Sequence, residues 1–139
     1  MSFPSLPDRF IIFVDGRPVV SPESQASEEE YFQAEAGGLD SGPPPAVFEA
    51  HGGFNGLQLV SGEYALGRYQ IEDRSLMPKR VGWCRKEQSQ MMLQPIQIRD
   101  GNTGPELSFS GAKLAIINDK LFAPLMEDEQ SGRVEIRPM

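Results

Sequence analysis

The chain has 139 residues, a length that suits one domain, 1–139, built on one core. Its 20 acids against 13 bases give a net charge of −7, and the resulting field repels phosphate, which argues against general nucleic-acid binding. One cysteine excludes an internal disulfide, one cysteine with one histidine cannot build a zinc cluster, and no apolar run is long enough for a membrane helix.

The N-terminus, Met1-Ser2-Phe3-Pro4-Ser5-Leu6-Pro7, lacks the basic start and apolar stretch of a secretory signal, so a cytoplasmic location is expected. Phe10-Ile11-Ile12-Phe13-Val14 is apolar and β-branched and reads as a buried strand. Asp15-Gly16 is a favoured hairpin turn, and Arg17-Pro18-Val19-Val20 is the return strand, held near an edge by Pro18. Residues 21–45 change character, with Glu28-Glu29-Glu30, three glycines and Pro43-Pro44-Pro45. This composition predicts a mobile surface loop, in which Tyr31-Phe32-Gln33-Ala34 is either a strand or a helical turn.

Ala46 to Ala50 reads as a strand, His51-Gly52-Gly53 as a turn, Leu57 to Val60 as a strand and Ser61-Gly62 as a turn. From Arg68 to Glu72 apolar and polar residues alternate, Asp73-Arg74-Ser75 turns, Pro78 sets an extended segment, and Val81 to Cys84 is a strand with Trp83 in the core. Gln90 to Arg99 reads as a strand interrupted by Pro95, and 100–105 as a turn. Leu107-Ser108-Phe109, Leu114 to Ile117, Leu121 to Ala123 and Arg133 to Arg137 complete the set, with Asn118-Asp119 as a tight turn. Short strands spaced by turns, with no helix, make an all-β fold, and barrel, sandwich and trefoil all fit the pattern. A loose internal echo places Asp15, Asp73 and Asp119 each after an apolar strand and before a proline, as a three-fold architecture would.

The charge is uneven. Between Gly67 and Lys86 six bases face two acids, so a basic island sits on an acidic chain and is a candidate contact surface. Within it, Gly67-Arg68 followed by Glu72-Asp73-Arg74-Ser75-Leu76-Met77-Pro78-Lys79-Arg80-Val81 resembles a motif of the fungal cospin-like serine protease inhibitors. Lys120-Leu121-Phe122-Ala123-Pro124-Leu125 is similar to a second stretch of that group. The resemblance covers residues 62–139; residues 1–61 either supply the rest of such a fold or lie outside the likeness. It implies a disulfide-free β-trefoil, ahead of another small closed or partly closed β-barrel. It also implies inhibition of trypsin-like serine proteases through an exposed loop, with neither catalysis nor a cofactor.

Three functions follow, weighed against plainer readings. An inhibitor of a trypsin-like protease needs a Lys or Arg to meet the acid in the S1 pocket. Lys79 and Arg80 follow Pro78, whose ring lowers the entropy lost on binding, and Arg74 stands at the turn tip. The plainer reading makes each an ordinary surface base. A carbohydrate- or protein-binding module would use exposed aromatics, with Tyr64, Tyr69 and Phe54 as candidates that could equally be core. An enzyme would need a Cys84–His51 thiolate pair, against which a buried, inert cysteine beside Trp83 is the simpler account. Glu72 and Asp73, adjacent on a strand, would face opposite sides and make a poor acid–base pair.

Overall fold

The computed structural model describes residues 6–24, 29–38, 42–53, 56–72, 74–75, 77–101, 104–125 and 133–139. The fold is all-β. Its strands fall into three consecutive sets of four. The first holds β1 (Phe10–Val14), β2 (Arg17–Pro18), β3 (Tyr31–Gln33) and β4 (Glu49–Gly53). The second holds β5 (Gly56–Ser61), β6 (Tyr64–Arg68), β7 (Lys79–Arg85) and β8 (Ile96–Gly101). The third holds β9 (Gly104–Phe109), β10 (Ala115–Ile117), β11 (Lys120–Ala123) and β12 (Val134–Pro138).

The outer strands of each set form a curled wall. β12 pairs with β1 from Phe10↔Pro138 to Val14↔Val134. Phe10 and Phe48 exchange two backbone bonds of 3.1 and 2.7 Å, which joins β1 to the entry of β4. β4 then pairs with β5, β5 meets β8 at Leu57↔Ile96, and β8 pairs with β9. Among the described residues β9 and β12 share no ladder, so the wall is open there.

The inner strands of each set form hairpins that meet in a triangle. β6 pairs with β7, and β10 with β11. β2 continues into Val19, which bridges Ala36 just beyond β3. β7 takes β3 at residues 82–84 and β11 at residues 79–80. Glu35 bridges Lys120, and Leu121 N–H donates to Ala34 O at 2.9 Å, which closes the third side.

The sequence dictates much of this. β1 alternates, with Phe10, Ile12 and Val14 fully buried. Phe48 stacks on both Phe10 (5.9 Å) and Trp83 (5.7 Å) at the centre of the core. The turns use residues that tolerate positive φ: Asp15-Gly16 (51° and 79°) and Asn118-Asp119 (53° and 66°). Gly82 is required for a different reason. A Cβ there would lie 2.4 Å from Phe32 O, so β3 and β7 approach closely only because residue 82 has no side chain.

Several expectations are corrected. Residues 21–45 are not a loop throughout, since Pro22–Ser24 is a 3-10 turn and Tyr31–Gln33 is β3. The ladder to β7 decides what Tyr31-Phe32-Gln33 could not decide locally. His51-Gly52-Gly53 is the end of β4 rather than a turn, because β5 pairs with it as far as Gly53↔Gly56. The strand expected over 90–99 begins only at Ile96. Before it lie a 3-10 turn (Lys86–Gln88) and a helical turn, α1 (Ser89–Met92). Ser89 Oγ donates to Lys86 O at 2.9 Å, and Leu93 is buried with Val60, Ala65 and Cys84 in a small second core. The Asp echo also needs correction. Asp15 joins β1 to β2, whereas Asp119 joins β10 to β11 and Asp73, outside the described residues, falls between β6 and β7. The positional counterparts of Asp15-Gly16 are Gly62 (φ 61°) and Ser110-Gly111 (57° and 91°). Among the described residues no helix is long and apolar enough to cross a membrane.

Candidate functional site

The segment between β6 and β7 links the two strands of the second hairpin of the triangle, and both of its flanks are tied down. At Tyr69 the chain leaves its β7 partner for the segment after α1. Tyr69 bridges Leu93, and Gln70 N–H donates to Met92 O at 2.7 Å. The last residue of β6, Arg68, is buried, so its charge needs partners. Glu72 supplies both carboxylate oxygens, at 2.6 and 3.1 Å, in a fork-to-fork pair. Phe109 O accepts a third bond at 2.9 Å. Gln94 Nε2 donates to Tyr69 O (2.9 Å) and to Glu72 Oε1 (3.2 Å). The incoming flank is thus fixed at Glu72.

The outgoing flank is fixed at Ser75. Lys79, the first residue of β7, is only 7% exposed, with its stem packed and its ammonium aimed back into the loop. Its Nζ donates to Ser75 O at 2.8 Å, and Met77 N–H donates to Ser75 Oγ at 3.4 Å. Between the two anchors Arg74 is exposed, and its side chain has no hydrogen bond or ion pair among the described residues. Asp73 and Leu76 lie outside the described residues. Ile71 and Met77, at 80% and 69% exposed, flank the tip.

The three bases and the one proline singled out by sequence therefore separate. Arg74 stands on the loop. Pro78 is half-buried immediately before β7. Lys79 is a strand residue opposite Ala123, and its charge is spent on Ser75 O. Arg80 is a strand residue opposite Phe122, with an exposed side chain and a carbonyl that accepts the Tyr31 hydroxyl at 3.2 Å. The strand expected from Val81 starts two residues earlier because β11 pairs with it.

A cleft of about 670 Å³ lies against the loop, with Tyr31, Tyr69, Ile71, Pro78, Met92 and Phe122 as its apolar walls and Glu30, Glu72, Lys79 and Arg80 as its charged ones. The Tyr31 and Tyr69 rings meet edge to face, with centroids 5.1 Å apart. The Tyr31 hydroxyl reaches Gly67 O at 3.0 Å as well as Arg80 O, so it ties β6 to β7. Burial, and then the nearby Glu72 carboxylate, push its pKa up from the ordinary phenol value. Arg68, Glu72, Ser75 and Tyr31 were not legible as site residues. Their partners lie in other elements or across an irregular loop.

The other candidates lie elsewhere. Cys84 is buried, its Sγ donates to Arg85 O at 3.4 Å, and burial, then Glu87, push its pKa up to about 12. His51 is exposed on β4 and meets Glu49 at 3.3 Å. Among the described residues nothing joins the two. Tyr64 is covered by Arg85 (5.1 Å) and by the edge of Phe32 (5.6 Å), and Phe54 lies outside the described residues. Tyr69 lines the cleft beside the loop. Compared with known proteins, the chain matches no family model, no curated protein and no solved structure.

Proposed function

We propose that this chain is a β-trefoil that inhibits a trypsin-like serine protease through the β6–β7 loop and performs no chemistry of its own. The trefoil reading is supported by the strand pairing. Three successive four-strand sets contribute their outer strands to one wall and their inner strands to three hairpins that meet in a triangle. The terminal strands β1 and β12 are paired, so residues 10–53 supply the first of the three sets. The inhibitor reading is carried by one observation. Among the described residues Arg74 is exposed and without a side-chain partner between two anchored flanks, which is the arrangement that offers a cation to an acidic S1 pocket at low entropic cost. Titration against trypsin tests it. Inhibition at or below micromolar concentration is expected, and a parent protein that leaves trypsin fully active at micromolar concentration ends the reading.

The cleft favours a second reading. Tyr69 beside the charged groups Glu72 and Arg80 is a combination that can stack on and bond a sugar ring. A glycan array with hits lost in Tyr69→Ala would move the assignment there.

A further inference from the structure

The bond that such a protease would engage is decided by which base is free and which carbonyl is held. Three bases lie close together on the chain, at positions 74, 79 and 80. Lys79 is buried with its ammonium on Ser75 O, so it cannot enter a pocket on another protein without breaking that bond. Arg80 is exposed, but its peptide is built into the triangle. It pairs with Phe122 on β11, and its carbonyl oxygen accepts the Tyr31 hydroxyl. A protease serine cannot reach that carbonyl carbon without parting β7 from β11. Among the described residues, Arg74 alone of the three has both a side chain without a partner and a peptide outside any ladder.

We infer that Arg74–Ser75 is the reactive bond and that Lys79 is a positioning residue that keeps the Ser75 side in place after the bond is cut. This rests on the inhibitor reading above. The protease serine Oγ attacks the Arg74 carbonyl carbon while the protease histidine takes its proton. The Arg74 C–Ser75 N bond then breaks, the proton passes to the departing Ser75 amine, and Arg74 is left as an ester on the enzyme. In an ordinary substrate the amine diffuses away and water hydrolyses the ester. Here the new N-terminus is held at Ser75 by Lys79 on one side, and the ester side is held at Glu72 by the Arg68 fork on the other. An amine tethered beside its ester attacks at a high effective concentration, so the peptide re-forms faster than water clears it. The protein is therefore retained by the protease instead of being consumed.

The test uses the full-length protein with catalytic amounts of trypsin, followed by intact-mass and peptide mass spectrometry over hours. The parent is expected to inhibit persistently, with any cleavage confined to Arg74–Ser75. Arg74→Ala should weaken inhibition at least ~100-fold, the scale of a fully buried anchor, while Arg80→Ala changes it less than ~5-fold. Lys79→Met should start as an inhibitor and lose its effect within the assay as it is cut at the same bond. Lys79→Gln, which retains a donor, should recover part of the persistence. Melting temperatures of each variant separate this from simple unfolding. Persistent inhibition by Arg74→Ala, or cleavage after Lys79 or Arg80 in the parent, overturns the bond assignment and leaves the inhibitor reading standing. No inhibition by the parent overturns both.

Discussion

At the scale of single residues, the loop is organised by a charge pair that an irregular backbone brings together. Arg68 and Glu72 are four apart, a spacing that pairs side chains on a helix, yet here they meet because the chain bends after β6. Both are largely buried, so removing one leaves the other charged and unpaired. Glu72→Ala is expected to cost about 3–5 kcal/mol in urea unfolding, and the double change Arg68→Met with Glu72→Leu clearly less than the two single changes summed. Gly82→Ala should cost about 3 kcal/mol, because the added methyl meets the backbone oxygen of Phe32 and cannot be relieved by a rotamer change.

Titration belongs to the same scale. Cys84 and Tyr31 both have raised pKa values in the fold, the thiol from 9.0 to about 12. Well below pH 9 both are neutral whether folded or not, and they leave stability unchanged. Above it the unfolded chain ionises first while the folded chain keeps its protons, so stability falls as pH rises from about 9 towards 12. The urea midpoint should therefore decline over that interval. Cys84→Ala and Tyr31→Phe should each flatten the decline, and a midpoint that holds level in the parent would show the groups to be solvated.

At the scale of elements, the triangle of hairpins supports the loop. Its contacts are few and specific: Ala34 N–H to Val81 O at 3.0 Å, Gln33 Nε2 to Leu121 O at 2.8 Å, and Leu121 N–H to Ala34 O at 2.9 Å. Leu121 is fully buried beneath them. Leu121→Ala is expected to cost about 2–5 kcal/mol and to raise hydrogen exchange in β3, β7 and β11 together, since β7 carries pairs to both β3 and β11. This arrangement also separates the strands that a local pattern specifies from those that a distant partner imposes. β1, β5 and β9 announce themselves by apolar alternation or β-branched runs. β3 and the first residues of β7 are strands because a partner from another part of the chain pairs with them, and that partner is invisible in a short window. The turn before β8 imitates a strand because Met91 and Leu93, then Ile96 and Ile98, are apolar at every second position on either side of Pro95. In the fold Met91 is exposed and Leu93 closes the small second core.

At the scale of the whole molecule, β1 and β12 hold the first and last sets together, and Met139 N–H still reaches Arg9 O at 3.0 Å. Deleting residues 133–139 would expose one edge of β1, whose Phe10, Ile12 and Val14 are fully buried. Loss of the cooperative melting transition is expected, followed by circular dichroism. A truncated chain that still melts cooperatively would show that β12 is dispensable. The charge pattern also belongs to this scale, because the basic island is a local property of β6, β7 and their loop on a chain that is acidic as a whole.

The chain by itself determined the all-β class, the main turns and the existence of a basic stretch, because period-two burial and positive-φ turn residues act over a few positions. Its tertiary structure decided which bases are free. Arg74, Lys79 and Arg80 are alike as letters. They differ because burial forces Lys79 to find an oxygen, pairing with β11 locks the backbone of Arg80, and the anchored flanks leave Arg74 facing water. Solvent exposure and partner geometry depend on residues far away in sequence, so no local pattern can encode them.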